Sequence, residues 1–483
     1  MDYTASDNSY KLQKEAFVSH NDGDTVLDIN KVCWTAVSTY QLWQAVQSRS
    51  RTSGADSSRT AVIEYIILVL PLVLALTVFA HAPVYFNAFL YMLIGLVRTL
   101  RRRQPSSVRQ QQKTKQENQH VPLVNPFHKS LVTVWRAHMM LMTVICILAV
   151  DFPAFPRSFG KTESWGTSLM DLGVGSFVFS LGLTTAPSLL KRIGTHQNPP
   201  SILSALGKTW IILLLGFIRL AMVKGTEYPE HVTEYGVHWN FFFTLSLLPI
   251  FGGIAERWSR KISFKYMALI VTAAHQLLLV ATPLQQYTLN DRRPNLLAQN
   301  KEGLVSFAGY LAIYLLGYDT GLYVLPPDPY YIHRRDKHDI HEKPNLGKLL
   351  NVLFSYSVIW WGMFGVIHLV LPAQFQVSRR LANTSYVLWV AAFNVSFLCL
   401  YLAVDLFGFA GNSLTKTRGP ALFDALNRNS LAVFLVANLL TGLVNVSMKT
   451  MYASDTTAVL VLLMYTGILV TFAWQSRHLR LKI

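Results

Sequence analysis

Charged side chains are concentrated in a short segment between two long apolar runs. Its ionisable residues are Asp151, Arg157, Lys161, Glu163 and Asp171. Pro153 and Pro156 interrupt any continuous helix, so the backbone there must be irregular. Beside a bilayer, ionisable groups on irregular backbone are tolerated mainly where protein or a watery cavity surrounds them. The 151–171 segment is therefore the first candidate for a functional site.

Two residues of this segment have the chemistry of an acid–base pair. Asp151 directly follows an apolar run, where partial loss of water favours a role as general base. Lys161 could stabilise a developing oxyanion. The alternative is an ion pair of Asp151 with Lys161 or Arg157 that only orders the loop, and the spacing of these residues favours that alternative.

A second polar group lies at the start of a later apolar run. Glu234, His238 and Asn240 offer donors and acceptors that suit a polar headgroup. The competing interpretation, favoured by these residues alone, is interfacial anchoring by Tyr235 and Trp239, with His238 as a satisfied hydrogen-bonding group.

A third polar group surrounds Asn300 and Glu302, with Arg292 and Arg293 upstream. The two arginines could meet a phosphate, or the segment could be a solvated loop, which its own residues favour. Because all three polar groups enter apolar runs from the same predicted side, a shared cavity is more plausible than any one group suggests.

The composition indicates a polytopic membrane protein. The chain has 483 residues, of which 51% are hydrophobic and only 14% are charged, whereas soluble domains carry roughly 25% charged residues. The formal net charge is +17, but Lys and Arg lie in loops between apolar runs. That distribution is the one that the positive-inside rule requires of a membrane protein. We therefore expect membrane lipids, and no nucleic acid, as partners.

Spans of about 20 apolar residues predict an all-α fold with about thirteen transmembrane helices in one bundle. The predicted spans are 30–48, 61–80, 83–98, 131–150, 170–187, 202–223, 237–254, 264–283, 304–324, 350–371, 384–407, 430–446 and 456–474. The weakest is 30–48, whose aromatic and polar residues also suit an interfacial helix.

The loop charges predict which loops share a side. With thirteen spans, one alternate set of loops contains 27 Lys and Arg residues and the other contains 11. The richer set, with a variable loop at 99–129, should be cytoplasmic. The N-terminal segment 1–30 and the 151–171 segment should then be lumenal. Asn383 begins a glycosylation sequon in a predicted lumenal loop, whereas the sequon at Asn445 lies too close to a span for modification.

Several chemical signatures are missing. The sequence has no Gly-rich phosphate loop, no Gly-x-Ser-x-Gly elbow and no His-Glu-x-x-His motif. Cys33, Cys146 and Cys399 are too scattered for a disulfide framework or a metal site. We therefore expect no bound metal and no permanently bound cofactor.

The 151–175 segment resembles the signature of the glycosylphosphatidylinositol (GPI) inositol acyltransferases, with its Asp, two Pro, Arg, Lys and Glu all in place. Further similarity occurs in order at 14–19, 25–27, 233–249, 300–316 and 435–445. The similarity covers most of the chain. Gly160 stands where the family pattern has Ala, and the region 99–125 resembles nothing we recognise.

The resemblance implies an acyl-CoA-dependent O-acyltransferase of the endoplasmic reticulum membrane, with a multi-span domain over 31–483. It would transfer a fatty acyl group, usually palmitoyl, from acyl-CoA (palmitoyl-CoA) to the inositol 2-hydroxyl of glucosaminyl-phosphatidylinositol. The family pattern places Asp151 and Lys161 as the catalytic residues. Candidate substrate-binding residues are Arg157, Glu163, Asp171, Glu234, His238, Asn240, Asn300 and Glu302.

Two alternatives from other classes remain open at this point. A lipid or solute transporter would also have many spans and polar loops near the membrane. A structural subunit of a membrane complex would tolerate Asp151→Asn without loss of function.

Overall fold

The structure is a computed structural model. It describes residues 10, 13–19, 21–48, 58–100, 126–194, 201–225, 232–331, 345–371, 375–408, 419–479 and 481. Most of the variable loop predicted at 99–129 lies outside these residues.

Over the described ranges the chain forms helices and no strand. After helical residues 13–18, the α-helices are α1 (Val26–Gln47), α2 (Ser58–Leu68), α3 (Leu70–Leu76), α4 (Pro83–Thr99), α5 (Pro126–Ala149), α6 (Leu169–Gly194), α7 (Ile202–Gly225), α8 (Val232–Tyr235), α9 (Phe241–Trp258), α10 (Phe264–Ala281), α11 (Leu284–Leu289), α12 (Leu296–Gln299), α13 (Lys301–Val324), α14 (Leu346–Val370), α15 (Thr384–Phe407), α16 (Ala421–Arg428), α17 (Ser430–Ser447) and α18 (Asp455–Gln475). The predicted all-α polytopic class is confirmed.

Each predicted span coincides with a helix. Within the described residues, eight helical stretches are long and apolar enough to cross a membrane, and α2 and α3 together form one of them. The other five predicted spans correspond to α1, α4, α7, α9 and α13, which have 17 to 24 residues. The total of thirteen stays a prediction.

Helix α1 runs from one end of the bundle to the other. Near its start, the Lys31 carbonyl accepts a hydrogen bond from Asn87 at the beginning of α4. Near its end, Gln44 donates to Asp405 in the last turn of α15 at 2.6 Å. A helix of 22 residues is about 33 Å long, which is enough to cross the hydrocarbon core. This placement favours the interpretation of 30–48 as a span.

The centre of the bundle is the contact between α6 and α13. A Cβ atom at Gly182 would lie 2.0 Å from the Tyr314 carbonyl oxygen, and one at Gly317 would lie 2.1 Å from that of Phe179. Only glycine allows the two backbones to approach this closely, as small residues do in membrane helix pairs. This contact fixes α6, whose first turn contains Asp171 at the end of the 151–171 segment.

Polar side chains start several helices at one end of the bundle. Thr25, Asn240, Asn383 and Ser454 each accept a hydrogen bond from a backbone N–H in the first turn of α1, α9, α15 and α18. Such caps satisfy donors that a helix cannot satisfy by itself. We call this end of the bundle the site end.

Candidate active site

Six polar segments meet at the site end. They are 13–25, 150–168 (the signature loop), 232–240, 290–302, 375–383 and 445–454. These segments coincide with the loops that the charge distribution predicts on one side of the membrane. The hydrogen bonds and ion pairs described below join them into one network, as expected for loops that share a side.

The Asp151 carboxylate lies at the centre of a three-segment contact. Its Oδ1 is 3.2 Å from the Lys14 ammonium, and its Oδ2 accepts a hydrogen bond from Asn445 Nδ2 at 2.8 Å. Lys14 also donates to Asn445 Oδ1 at 2.8 Å and to Thr450 Oγ1 at 3.4 Å. Asp151 is only 7% exposed, so this arrangement holds a nearly buried anion next to a cation.

The backbone of the signature loop curves around the Arg157 side chain. Its guanidinium donates to the carbonyl oxygens of Val150, Phe152 and Phe155 at 2.7 to 3.3 Å and lies 4.1 Å from the centre of the Phe17 ring. Burial lowers the pKa of Arg157 to about 10, although the Asp151 charge raises it. Arg157 therefore stays protonated at neutral pH. The ion pair that we considered for Asp151 with Lys161 or Arg157 is instead made by Lys14.

Lys161 pairs with another predicted site residue. Its ammonium lies 2.7 and 2.8 Å from the two carboxylate oxygens of Glu234. The Lys161 side chain is 33% exposed and that of Glu234 is 15% exposed. The pair joins the signature loop to the 232–240 segment and keeps one cation accessible from the aqueous side. Glu163 is half-buried in the same loop.

The N-terminal segment packs onto the signature loop through its backbone. The Asp24 N–H donates to the Thr167 carbonyl at 2.7 Å, and Ser158 donates to the Asp24 carboxylate at 3.1 Å. Gly23 has φ of 85°, and a Cβ there would lie 2.3 Å from the Thr167 oxygen. Both its backbone conformation and this close approach require glycine.

Asp171, in the first turn of α6, holds the signature loop through hydrogen bonds. It accepts hydrogen bonds from the Thr162 N–H at 3.1 Å, the Thr162 hydroxyl at 2.7 Å and Arg379 Nε at 2.5 Å. Asp171 and Arg379 are 1% and 3% exposed. Burial, the largest single effect, would lower the pKa of Arg379, but the Asp171 and Glu234 carboxylates and two nearby tyrosines together outweigh it and raise that pKa well above the usual range. Arg379 therefore remains a buried cation.

Glu302 forms a second buried cluster. It is fully buried, and its two oxygens accept from Arg293 at 2.6 and 3.0 Å. Arg380 donates to the same carboxylate at 3.0 Å. Arg293 therefore neutralises Glu302, so the phosphate interpretation of Arg292 and Arg293 loses one of its two cations. Glu302 joins the 290–302 and 375–383 segments in this structure.

The side chains of Asn240 and Asn300 bond mostly to backbone. Asn240 accepts from the Phe242 N–H at 3.0 Å and donates to the Gly216 carbonyl at 2.9 Å. Asn300 accepts from the N–H groups of His238 and Trp239 at 2.9 and 2.8 Å. Both asparagines are buried, so they position backbone in this structure.

The His238 side chain, unlike those of Asn240 and Asn300, is partly accessible. Its side chain is half-buried, and its Nε2 lies 3.1 Å from the Gln299 side-chain oxygen. Of the 232–240 segment, His238 and Glu234 are the predicted side chains that remain partly accessible.

Sequence reasoning does not identify several site-end residues. Lys14 and Asn445 lie in stretches that resemble the family, but the resemblance assigns neither of them a role. The adjacent Arg379 and Arg380 directly before an apolar run are a signal of buried partners, because cations beside a membrane are usually paired. The sequon residue Asn383 is 1% exposed and donates to the Gln376 carbonyl at 2.7 Å. This geometry leaves no room for a glycan on Asn383.

Chemically, the site end combines a held carboxylate, a partly exposed ammonium and a rim of polar groups. Within the residues that the structure describes, no group of His, Cys, Asp and Glu is placed to hold a metal ion. The three cysteines are free thiols. Proton transfer at Asp151 and charge stabilisation by a lysine are the chemistry that these residues can perform.

Comparison with known proteins extends over nearly the whole chain. The GWT1 family model matches residues 10–476. GPI-anchored wall transfer protein 1 of Aspergillus fumigatus is 38% identical over 505 residues, covering 99% of both chains. The proteins of the same name from Eremothecium gossypii and Cryptococcus neoformans are 38% and 35% identical. They cover 96% and 98% of this chain and 97% and 100% of their own.

Proposed function

Because the chain belongs to the GWT1 family and acts in GPI-anchor biosynthesis, we propose that it transfers a fatty acyl group from acyl-CoA to the inositol 2-hydroxyl of glucosaminyl-phosphatidylinositol. The observation that supports this chemistry best is Asp151, a nearly buried carboxylate held on both oxygens at the site end. Palmitoyl is the acyl group that the family resemblance favours.

The reaction replaces a thioester by an ester. The inositol oxygen attacks the thioester carbonyl carbon while its proton passes to Asp151. A new C–O bond forms, a tetrahedral oxyanion develops, and the C–S bond then breaks. Protonated Asp151 returns the proton to the CoA thiolate, so Asp151 ends the cycle ionised. No oxidant or further reactant is needed.

Lys161 has the charge and the accessibility for the oxyanion. An ammonium has three N–H donors, and the two carboxylate oxygens of Glu234 accept hydrogen bonds from two of them. The remaining donor could point at the thioester oxygen when acyl-CoA is bound. Fixed donors of this kind act on charge that develops in the transition state.

Partly accessible polar side chains at the site end are candidate contacts for the glycolipid. His238 and Glu234 are partly accessible, and their donors and acceptors match a sugar or inositol ring. Glu163 lies on the same side of the network. In this proposal, Asp171, Asn240, Asn300 and Glu302 act indirectly, because their side chains are buried and bonded to other groups.

We propose an endoplasmic reticulum location with the site end facing the lumen. The multi-pass architecture and the 27 to 11 split of loop charges support this orientation.

The test is acyl transfer by the purified protein in lipid vesicles. Palmitoyl-CoA and glucosaminyl-phosphatidylinositol are supplied together, and the product is identified by mass spectrometry as the inositol ester. The expected result is transfer that requires both substrates. Movement of either lipid between leaflets without ester formation would instead support a transporter. Absence of both, with folded protein, would support a structural subunit.

A further inference from the structure

Lys14 lies closer to the proposed base than any other cation does among the described contacts. Its ammonium is 3.2 Å from Asp151 Oδ1, whereas Lys161 is engaged by Glu234. We propose that Lys14 is a positioning residue for Asp151, and that the N-terminal segment 13–25 is therefore part of the active site. This inference rests on the proposed acyl transfer.

The first support is the way in which Asp151 is held. Lys14 binds one carboxylate oxygen and Asn445 binds the other, so the carboxylate cannot rotate without losing a contact. Each oxygen keeps a second lone pair, because an ionised carboxylate has about four acceptor sites. The base is thereby oriented while it remains able to accept a substrate proton.

The second support is that Lys14 is itself fixed. It is 14% exposed in its side chain, and it donates to Asn445 and Thr450 in addition to Asp151. Three chain segments therefore meet at one ammonium. A lysine that formed only a surface ion pair would keep most of its freedom, and it would contribute little.

The third support is the docking of the whole N-terminal segment. Tyr452 donates to Gln13, Phe17 lies under Arg157, and Gly23 and Asp24 contact Thr167. These contacts begin one residue before Lys14 and continue to the start of α1. They hold Lys14 against Asp151 from both directions along the chain.

The consequence is that Lys14 acts through Asp151. The charged groups that face Asp151 are Lys14 from the N-terminal segment and Arg157 from its own loop, while Asn445 and Thr450 are neutral. The neighbouring Lys449 lies over the Tyr10 ring instead. Lys14 is therefore the cation that holds this carboxylate in place, and its removal should misplace the base without removing it.

The experiment is a double-mutant cycle in the acyl-transfer assay, with Lys14→Met, Asp151→Asn and the double variant compared at equal amounts of folded protein. Loss of a positioning contact should lower the kcat of Lys14→Met by up to about 10²-fold, with the KM for both substrates unchanged. In the Asp151→Asn background the same substitution should have little further effect, because the group that Lys14 positions is no longer a base. Lys14→Arg keeps the charge and should keep most of the kcat. If Lys14→Met does not fold, Lys14→Gln replaces it, because it is neutral and retains an N–H donor.

The matched control is Lys31→Met, which removes a lysine from an exposed pair with Asp28. It should leave kcat at the wild-type value. An equal loss of kcat from Lys14→Met in the wild-type and the Asp151→Asn backgrounds would overturn the inference and leave the proposed function standing. Absence of transfer by the wild type would overturn both.

Discussion

The Lys161 ammonium lies between the two carboxylate oxygens of Glu234, at 2.7 and 2.8 Å. These two residues are 73 positions apart in sequence and were predicted as site residues for different reasons. Their contact joins Lys161, the proposed oxyanion donor, to Glu234, a proposed contact for the glycolipid.

This pair predicts non-additive kinetics. Lys161→Met should lower kcat by about 10²–10³-fold, as removal of an oxyanion donor does, while acyl-CoA still binds. Glu234→Gln should lower kcat less, and the double variant should be no worse than Lys161→Met alone. Steady-state kinetics of the three variants measure this. Independent, multiplicative losses with a raised KM for the glycolipid would show that Glu234 binds the acceptor directly.

The buried pair of Asp171 and Arg379 predicts a loss of stability. Arg379→Met leaves the Asp171 carboxylate buried without its cation, which should cost about 3–5 kcal/mol. The exposed pair of Lys31 and Asp28 is the comparison, and Lys31→Met should cost only about 0–1 kcal/mol. Thermal unfolding of the purified variants in one detergent measures the difference. Equal unfolding temperatures would contradict a supporting role for Asp171.

The 232–240 segment predicts two separable effects. Asn240→Ala removes the cap of α9 and should cost about 0.5–2 kcal/mol of stability, with little change in KM for the glycolipid. His238→Ala should raise that KM and leave the KM for acyl-CoA unchanged. Unfolding curves and substrate titrations distinguish them. An unchanged glycolipid KM in His238→Ala would remove His238 from the binding site.

The architecture could be predicted from the sequence much better than the pairing could. Apolar runs and loop charges are local signals, so every predicted span coincides with a helix and the predicted lumenal loops cluster at one end. The partners of the site residues are not local. Arg379 is 208 residues from Asp171, and Asn445 is 294 residues from Asp151. Only the packing of α15 against α6 and of α17 against α5 brings such residues together.

The orientation of the site end predicts one-sided labelling. In a background without Cys33, Cys146 and Cys399, Ser164→Cys should react with an impermeant thiol reagent only when the lumenal side is accessible. Arg260→Cys, on an exposed turn at the opposite end, should react from the cytoplasmic side. Sealed and opened vesicles provide the measurement. Labelling of position 164 from the cytoplasm would invert the proposed topology.

The role of Asp151 is tested most directly by the kcat of Asp151→Asn at equal amounts of folded protein. The substitution keeps size but removes basicity and one of the two acceptor oxygens, so kcat should fall by about 10²–10⁴-fold. Asp455→Asn is the control, since Asp455 is an exposed carboxylate on the first turn of α18 at the same end, and it should keep wild-type kcat. Near wild-type kcat in Asp151→Asn would contradict general-base catalysis by this residue.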